Sequence, residues 1–207
     1  MKNPEWKIIT IGGLRQNDYW DEHSPMREQT CTTSLITTEA HRILVDPGSP
    51  DDFLRHALDQ RTGLRPEAVD VVFLTHFHPN HRGGISLFPQ AHWLMAREEI
   101  RWWKAHPNLP PQARDILDHM VPIEDYPLPH VETIATPGHT HGLTSLTFET
   151  REGIVAVVGD TILTFDHYDT CDPSAHPENE WEARRSIERI AQIADIIVPG
   201  HDNFFVV

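Results

Sequence analysis

Residues 75–81 read THFHPNH, and they close an apolar run, VDVVFLT, at residues 69–75. A continuous apolar run of this length reads as a strand buried on both faces, which puts the heptapeptide at its C-terminal end. His76, His78 and His81 fall within six positions there. Three imidazoles this close point to a metal site. The fourth polar residue among them, Asn80, is an amide where a metal site more readily uses a carboxylate.

The same arrangement, an apolar strand with a polar residue just past its end, recurs along the chain. WKIITIGG (6–13), TCTTSLITT (30–38) and HRILVDPG (41–48) read as strands, the last stopping at Asp46-Pro47-Gly48. SPDDFLRHALDQRTG (49–63) reads as a helix, with Ser49 as cap, Pro50 at its first position, early acids and Gly63 at its end. AHWLMA (91–96) reads as a strand and REEIRWWKA (97–105) as a short helix. The Pro-rich, acidic stretch 106–130 carries no assignable pattern. VETIATPG (131–138), LTSLTFET (143–150) and GIVAVVGD (153–160) read as three strands. Trp181, Ile187, Ile190 and Ala194 recur at helical spacing, and DIIVPGH (195–201) is a last strand tipped by His201. Strands, a helix and the same pattern again predict two packed sheets with helices outside, in one domain over residues 1–207.

Collecting the polar tips gives Asp46, His76, His139, Asp160 and His201. Loops at strand ends are where a rigid sheet presents chemistry. Imidazole and carboxylate suit zinc or iron, three or four donors serve one ion, and two ions can share a carboxylate.

The bulk properties fit an ordinary soluble protein. The 207 residues suffice for a sizeable core, and there is no apolar run of about 18 residues to span a membrane. The start, MKNPEWKIITIGG, does not read as a signal peptide, so a cytoplasmic location is expected. Cys31 and Cys171 form no framework and read as free thiols. Histidine is abundant, at 15 against 17 for Lys and Arg together. The net charge of −14 disfavours nonspecific nucleic-acid binding without excluding a local basic patch, and favours a small-molecule substrate. No feature sets the oligomeric state.

The set THFHPNH, TPGHT, GDT and VPGHD, in that order from about Ile8 onward, resembles the metallo-β-lactamase fold superfamily. The resemblance implies an α/β fold, a four-layer αββα sandwich with the metal site at one edge between the sheets. It implies that His76, His78 and His139 hold a first metal, that Asp160 bridges, and that His81 and His201 hold a second. Asp46 in LVDPG matches the family's LVDTG and would orient a ligand by hydrogen bonding. Zinc is the expected metal, one or two ions per chain, with iron or manganese as alternatives. The closing stretch IADIIVPGHDNFFVV and the short length resemble one branch, the small metallo-β-lactamase domain-containing protein 1 group related to glyoxalase II. Some of its members are associated with ribonuclease activity.

The family's usual motif is His-x-His-x-Asp-His, whose Asp both ligates the second metal and accepts a proton. Asn80 has nearly the same shape but is a neutral, weaker ligand and takes up no proton near neutral pH. With one carboxylate between two divalent ions, their repulsion is less offset, so a weak or empty second site is expected. Asn80 also suits the N-cap of a short helix after Pro79.

The leading expectation is therefore a metal-dependent hydrolase of a small ester, thioester or lactone, with Asp160 and Asn80 as its catalytic candidates. With six residues after His201, the helical extension of glyoxalase II is not expected. The alternatives are a phosphodiesterase or ribonuclease, a persulfide-dioxygenase-like oxygenase with iron on His76, His139 and Asp160, and a pseudoenzyme. Loop residues His23, His167, Tyr168 and Trp20 could overhang the metal edge, with Tyr168 a donor to an oxyanion. His141 reads as a solvent-facing or supporting residue.

Overall fold

Successive side chains of a strand point to opposite faces, so these continuous apolar runs give each sheet two greasy faces, which calls for a layer on either side. The structure, a computed structural model describing residues 2–48, 50–173 and 177–207, supplies those layers. The first sheet has six strands in sequence order: β1 (Glu5–Thr10), β2 (Thr33–Thr37), β3 (Arg42–Val45), β4 (Val71–Phe73), β5 (His92–Met95) and β6 (Val121–Pro122). The second holds β7 (Glu132–Ala135), β8 (Thr144–Thr150), β9 (Gly153–Gly159), β10 (Ile196–Pro199) and β11 (Phe205–Val206), in the order β11-β10-β9-β8-β7. From β3 to β6 the neighbours run parallel, as do β9 and β10, while the other pairs are antiparallel.

Ile43, Val45, Val71, Phe73 and Leu94 of the first sheet meet Leu146, Phe148, Val155, Val157, Ile196 and Val198 of the second in the central core. Full burial of each is worth roughly 1.5–3 kcal/mol. The intervening residues face outward. Leu44, Val72 and Met95 pack under α1 (Asp51–Thr62), α3 (Arg97–Lys104) and α4 (Pro111–His119) through Leu54, Leu58, Ile100 and Leu117. Ala156, Val158 and Ile197 pack under α6 (Glu180–Ala191) through Ile187 and Ile190. The result is the αββα sandwich expected from the sequence.

Three local expectations change. Helix α1 takes Pro50 as its N-cap rather than its first residue, while Gly63 closes it at φ 70°; Ser49 lies outside the described residues. The Pro-rich stretch holds α4 and β6. The turn after Pro79 is helical, α2 (Pro79–Arg82), but Pro79 occupies its first position, so His78 is the N-cap and Asn80 caps nothing. A short helix, α5 (Phe165–Asp169), follows β9. Among the described residues no helix is long and apolar enough to cross a membrane.

Candidate metal centre

Parallel neighbours bring their C-terminal ends to one edge. Val45 pairs with Phe73, and Pro199 with Gly159. Asp46 and Thr75 therefore emerge side by side from the first sheet, as Asp160 and His201 do from the second. Two backbone features tighten this edge. Gly159 sits at φ 51°, where a Cβ would run into the Thr75 hydroxyl, and a Cβ on Gly200 would overlap Oδ1 of Asp160. Asp46 holds a left-handed φ of 50°, with its carbonyl accepting from the Cys31 thiol and the Thr33 hydroxyl.

All six histidines and acids expected at the site converge. Donor atoms of His76, His78, His139 and Asp160 lie within 4.8 Å of one another, and so do those of His81, Asp160 and His201. His78 Nδ1 is 3.0 Å from both His76 Nε2 and His139 Nε2. Asp160 stands between the groups, its Oδ2 3.3 Å from His139 Nε2 and its Oδ1 3.0 Å from His81 Nε2 and 3.2 Å from His201 Nε2.

The hydrogen bonds around the site decide which ring nitrogens are free to bind. Thr75 Oγ1 donates to Asp46 Oδ2 at 2.7 Å, so toward His76 Nδ1, 3.1 Å away, it can only accept. His76 Nδ1 thus carries the proton and Nε2 turns its lone pair inward. Asp46 Oδ2 also accepts from His81 Nδ1 at 2.9 Å, and the Thr30 carbonyl accepts from His201 Nδ1 at 2.7 Å. One carboxylate therefore orients two imidazoles, one of them through Thr75.

His81 Nε2 and Asp160 Oδ1 are fully buried, face each other at 3.0 Å and make no well-aligned hydrogen bond. Two lone-pair atoms at that distance call for a shared cation, either a proton or a metal. The donor set therefore fits a divalent ion. Without one, burial opposes the His81 imidazolium, but Asp160 and Asp46 outweigh it and raise its pKa to about 10. Burial raises the Asp160 carboxyl, and the facing His81, His201 and His139 more than reverse this, holding it well below the usual range. Burial, with His139 beside it, lowers His78 to about 4, so that ring stays neutral and able to bind.

A cleft of about 810 Å³ opens over the site, with His78, Asn80, His139 and Asp160 at its floor. Asn80 Nδ2 is buried there without a hydrogen-bond partner among the described residues. Part of the wall is the loop 14–19, which no sequence periodicity marks. Tyr19 Oη donates to Asp172 at 2.8 Å and Trp20 Nε1 to Asp166 at 3.2 Å, tying this loop to α5 and to the residues just after it. A larger groove, about 1140 Å³, lies around Trp6 and Arg151 and contains none of these ligands.

Of the other candidates, His167 lines the cleft wall and is hydrogen-bonded to Thr164. Tyr168 instead packs on Phe205 and lines no part of the cleft, so it is not placed to meet an oxyanion there. His23 and Trp20 are exposed. His141 is exposed, paired with Glu178 and stacked on Trp102. Sequence reasoning missed Thr75, which looked like a strand end, and Glu99, which looked like one more acid of α3.

Residues 26–201 match the family model for the metallo-beta-lactamase superfamily. The chain is 33% identical over 165 residues to metallo-beta-lactamase domain-containing protein 1 of Xenopus laevis, a match covering 77% of the chain and 65% of that relative. The chain thus spans about two thirds of that relative's length. It is 26% identical over 199 residues to an N-acyl homoserine lactonase of Bacillus cereus, covering 81% of the chain and 79% of the lactonase. Among solved structures, AidC, a dizinc quorum-quenching lactonase in complex with a product, shares the fold at TM-score 0.69 and 21% identity, over 97% of this chain and 85% of that one. The strand-end donors, the sandwich that presents them and the match over residues 26–201 together show that the chain belongs to the metallo-beta-lactamase superfamily.

Proposed function

We propose that the chain is a zinc-dependent hydrolase of a small ester, thioester or lactone. The observation that carries this reading is the opening of the His78, His139, Asp160 and Asn80 side chains onto one solvent-accessible cleft. His76, His78, His139 and Asp160 would hold one zinc, a set of three imidazoles and a carboxylate that suits zinc's four-coordinate preference. A mononuclear iron centre uses two imidazoles and a carboxylate with open positions, so the approach of His78 to both His76 and His139 favours zinc. His81 and His201 would share Asp160 with a second ion.

Bound there, zinc would polarise a carbonyl and bring the pKa of a coordinated water toward about 7. The protein's part is to fix which ring nitrogen faces the site, which Asp46 does directly for His81 and through Thr75 for His76. Asp160, held well below the usual carboxylate range, serves as a ligand and is a poor proton acceptor. Asn80, standing where the family uses Asp, contributes neither charge nor a base, so the second position is the weaker one and protons leave to the open cleft. Leu14 and Leu163 give the wall an apolar strip suited to an acyl group, and Arg15 is the one Lys or Arg lining the cleft among the described residues. That sparse positive charge favours a small substrate over RNA, in line with the lactonase among the relatives.

The test is a panel of aryl esters, thioesters and lactones offered to the zinc-loaded chain. Turnover that a chelator abolishes and that His139→Ala removes is expected. No turnover by the wild type but turnover by Asn80→Asp would replace this reading with a pseudoenzyme, and none by either would sink the hydrolase.

A further inference from the structure

Glu99 is fully buried on α3, in the outer helical layer, and its carboxylate takes no part in the donor cluster. Its Oε1 accepts from the backbone N–H of Phe77 at 3.1 Å and from Trp103 Nε1 at 2.8 Å. Its Oε2 accepts from the backbone N–H of Gly142 at 2.9 Å. Phe77 lies between His76 and His78, and Gly142 follows His139 by three residues. One side chain therefore grips both histidine loops, which come from different sheets.

We infer that Glu99 is a positioning residue for the first metal position, setting the His76–His78 pair against His139. The inference rests on reading that cluster as a metal site. Two planar peptide units flank Phe77, and their tilts set where the side chains of His76 and His78 point. Glu99 holds the N–H of the first unit. Arg82 Nε donates to the Phe77 carbonyl of the second at 3.0 Å, with its guanidinium over the Phe77 ring. Both units are thereby pinned. On the other loop the approach is so close that a Cβ on Gly142 would run into the backbone of Glu99 itself. Trp103 completes the grip, its ring edge-on to His78 at 5.8 Å.

Charge-assisted bonds from a buried carboxylate to two backbone donors are strong and directional. In Glu99→Gln the amide oxygen can keep Phe77 and Trp103, but its nitrogen then meets the Gly142 N–H, donor against donor. That change loosens the His139 loop alone and leaves the bulk and shape of the site in place.

The experiment measures zinc affinity by competition with a chromophoric chelator, the visible spectrum of the cobalt-substituted protein, and thermal unfolding of the metal-free chain. Glu99→Gln is expected to lose roughly 10- to 100-fold in affinity at the tighter position, in the range known for partners of metal ligands, and to shift the cobalt bands. Glu99→Asp, one methylene short of reaching both loops, should lose affinity as well, and it decides the matter if Glu99→Gln does not fold. A variant that melts earlier but binds zinc with wild-type affinity and an unshifted cobalt spectrum overturns the inference, because Glu99 would then be merely structural. Failure of the wild type to bind zinc would sink the metal-site reading instead, so the two failures are distinguishable.

Discussion

Oδ2 of Asp46 lies 2.9 Å from Nδ1 of His81, on the side of the ring opposite Asp160. The same oxygen accepts the Thr75 hydroxyl, and the other carboxylate oxygen accepts the Thr75 backbone N–H at 2.8 Å. Asp46→Ala leaves these donors buried and unpaired, and places Ala at a left-handed φ that Asp and Asn tolerate better. The expected cost is about 3 kcal/mol by chemical denaturation. Asp46→Asn keeps the shape and the tolerance for positive φ, so it should lose less stability while still weakening zinc binding. Equal stability of Asp46→Ala and wild type would contradict the orienting role.

In the metal-free chain His81 sits between two carboxylates, and its pKa rises from 6.5 to about 10. A histidine whose folded pKa is raised stabilises the fold below its unfolded pKa, and that stability is lost as pH rises through the folded value. Metal-free protein should therefore lose stability progressively between about pH 6.5 and 10, and His81→Gln should flatten that slope. At pH 8, filling the position next to His81 should release a proton that His81→Gln does not release. Titration calorimetry in buffers of different ionisation enthalpy reads this directly. Equal proton release from both proteins would argue against a protonated His81.

The polar tips of the strands were legible because a strand's end is visible as the end of its apolar run. His76, His139, Asp160 and His201 meet where that rule puts them, and Asp46 stands behind them, bonded to His81. The supports were not legible, because they depend on contacts across long stretches of chain. Glu99 reaches Gly142 across 43 residues, and the Thr30 carbonyl reaches His201 across 171. Neither residue differs in local pattern from an ordinary helical acid or loop threonine. The cleft wall at 14–19 has no period to read, since hydrogen bonds to α5 hold it rather than a buried stripe. The Asn80 cap failed for a local reason. Pro79 takes the first helical position and pushes the cap back to His78.

Gly200 follows β10 directly against Asp160, where any Cβ would overlap Oδ1. Gly200→Ala should displace that carboxylate from between the two donor groups and reduce zinc affinity by about 10-fold or more. Zinc binding at wild-type strength would show that Asp160 does not hold the ion.

If one metal position is complete in this chain and the other is weakened by the amide at Asn80, the zinc count per chain should differ between the wild type and Asn80→Asp, measured side by side after equilibration with zinc and removal of loosely held metal. One tightly held ion in the wild type and two in the variant are expected. Two tightly held ions in the wild type would contradict the account.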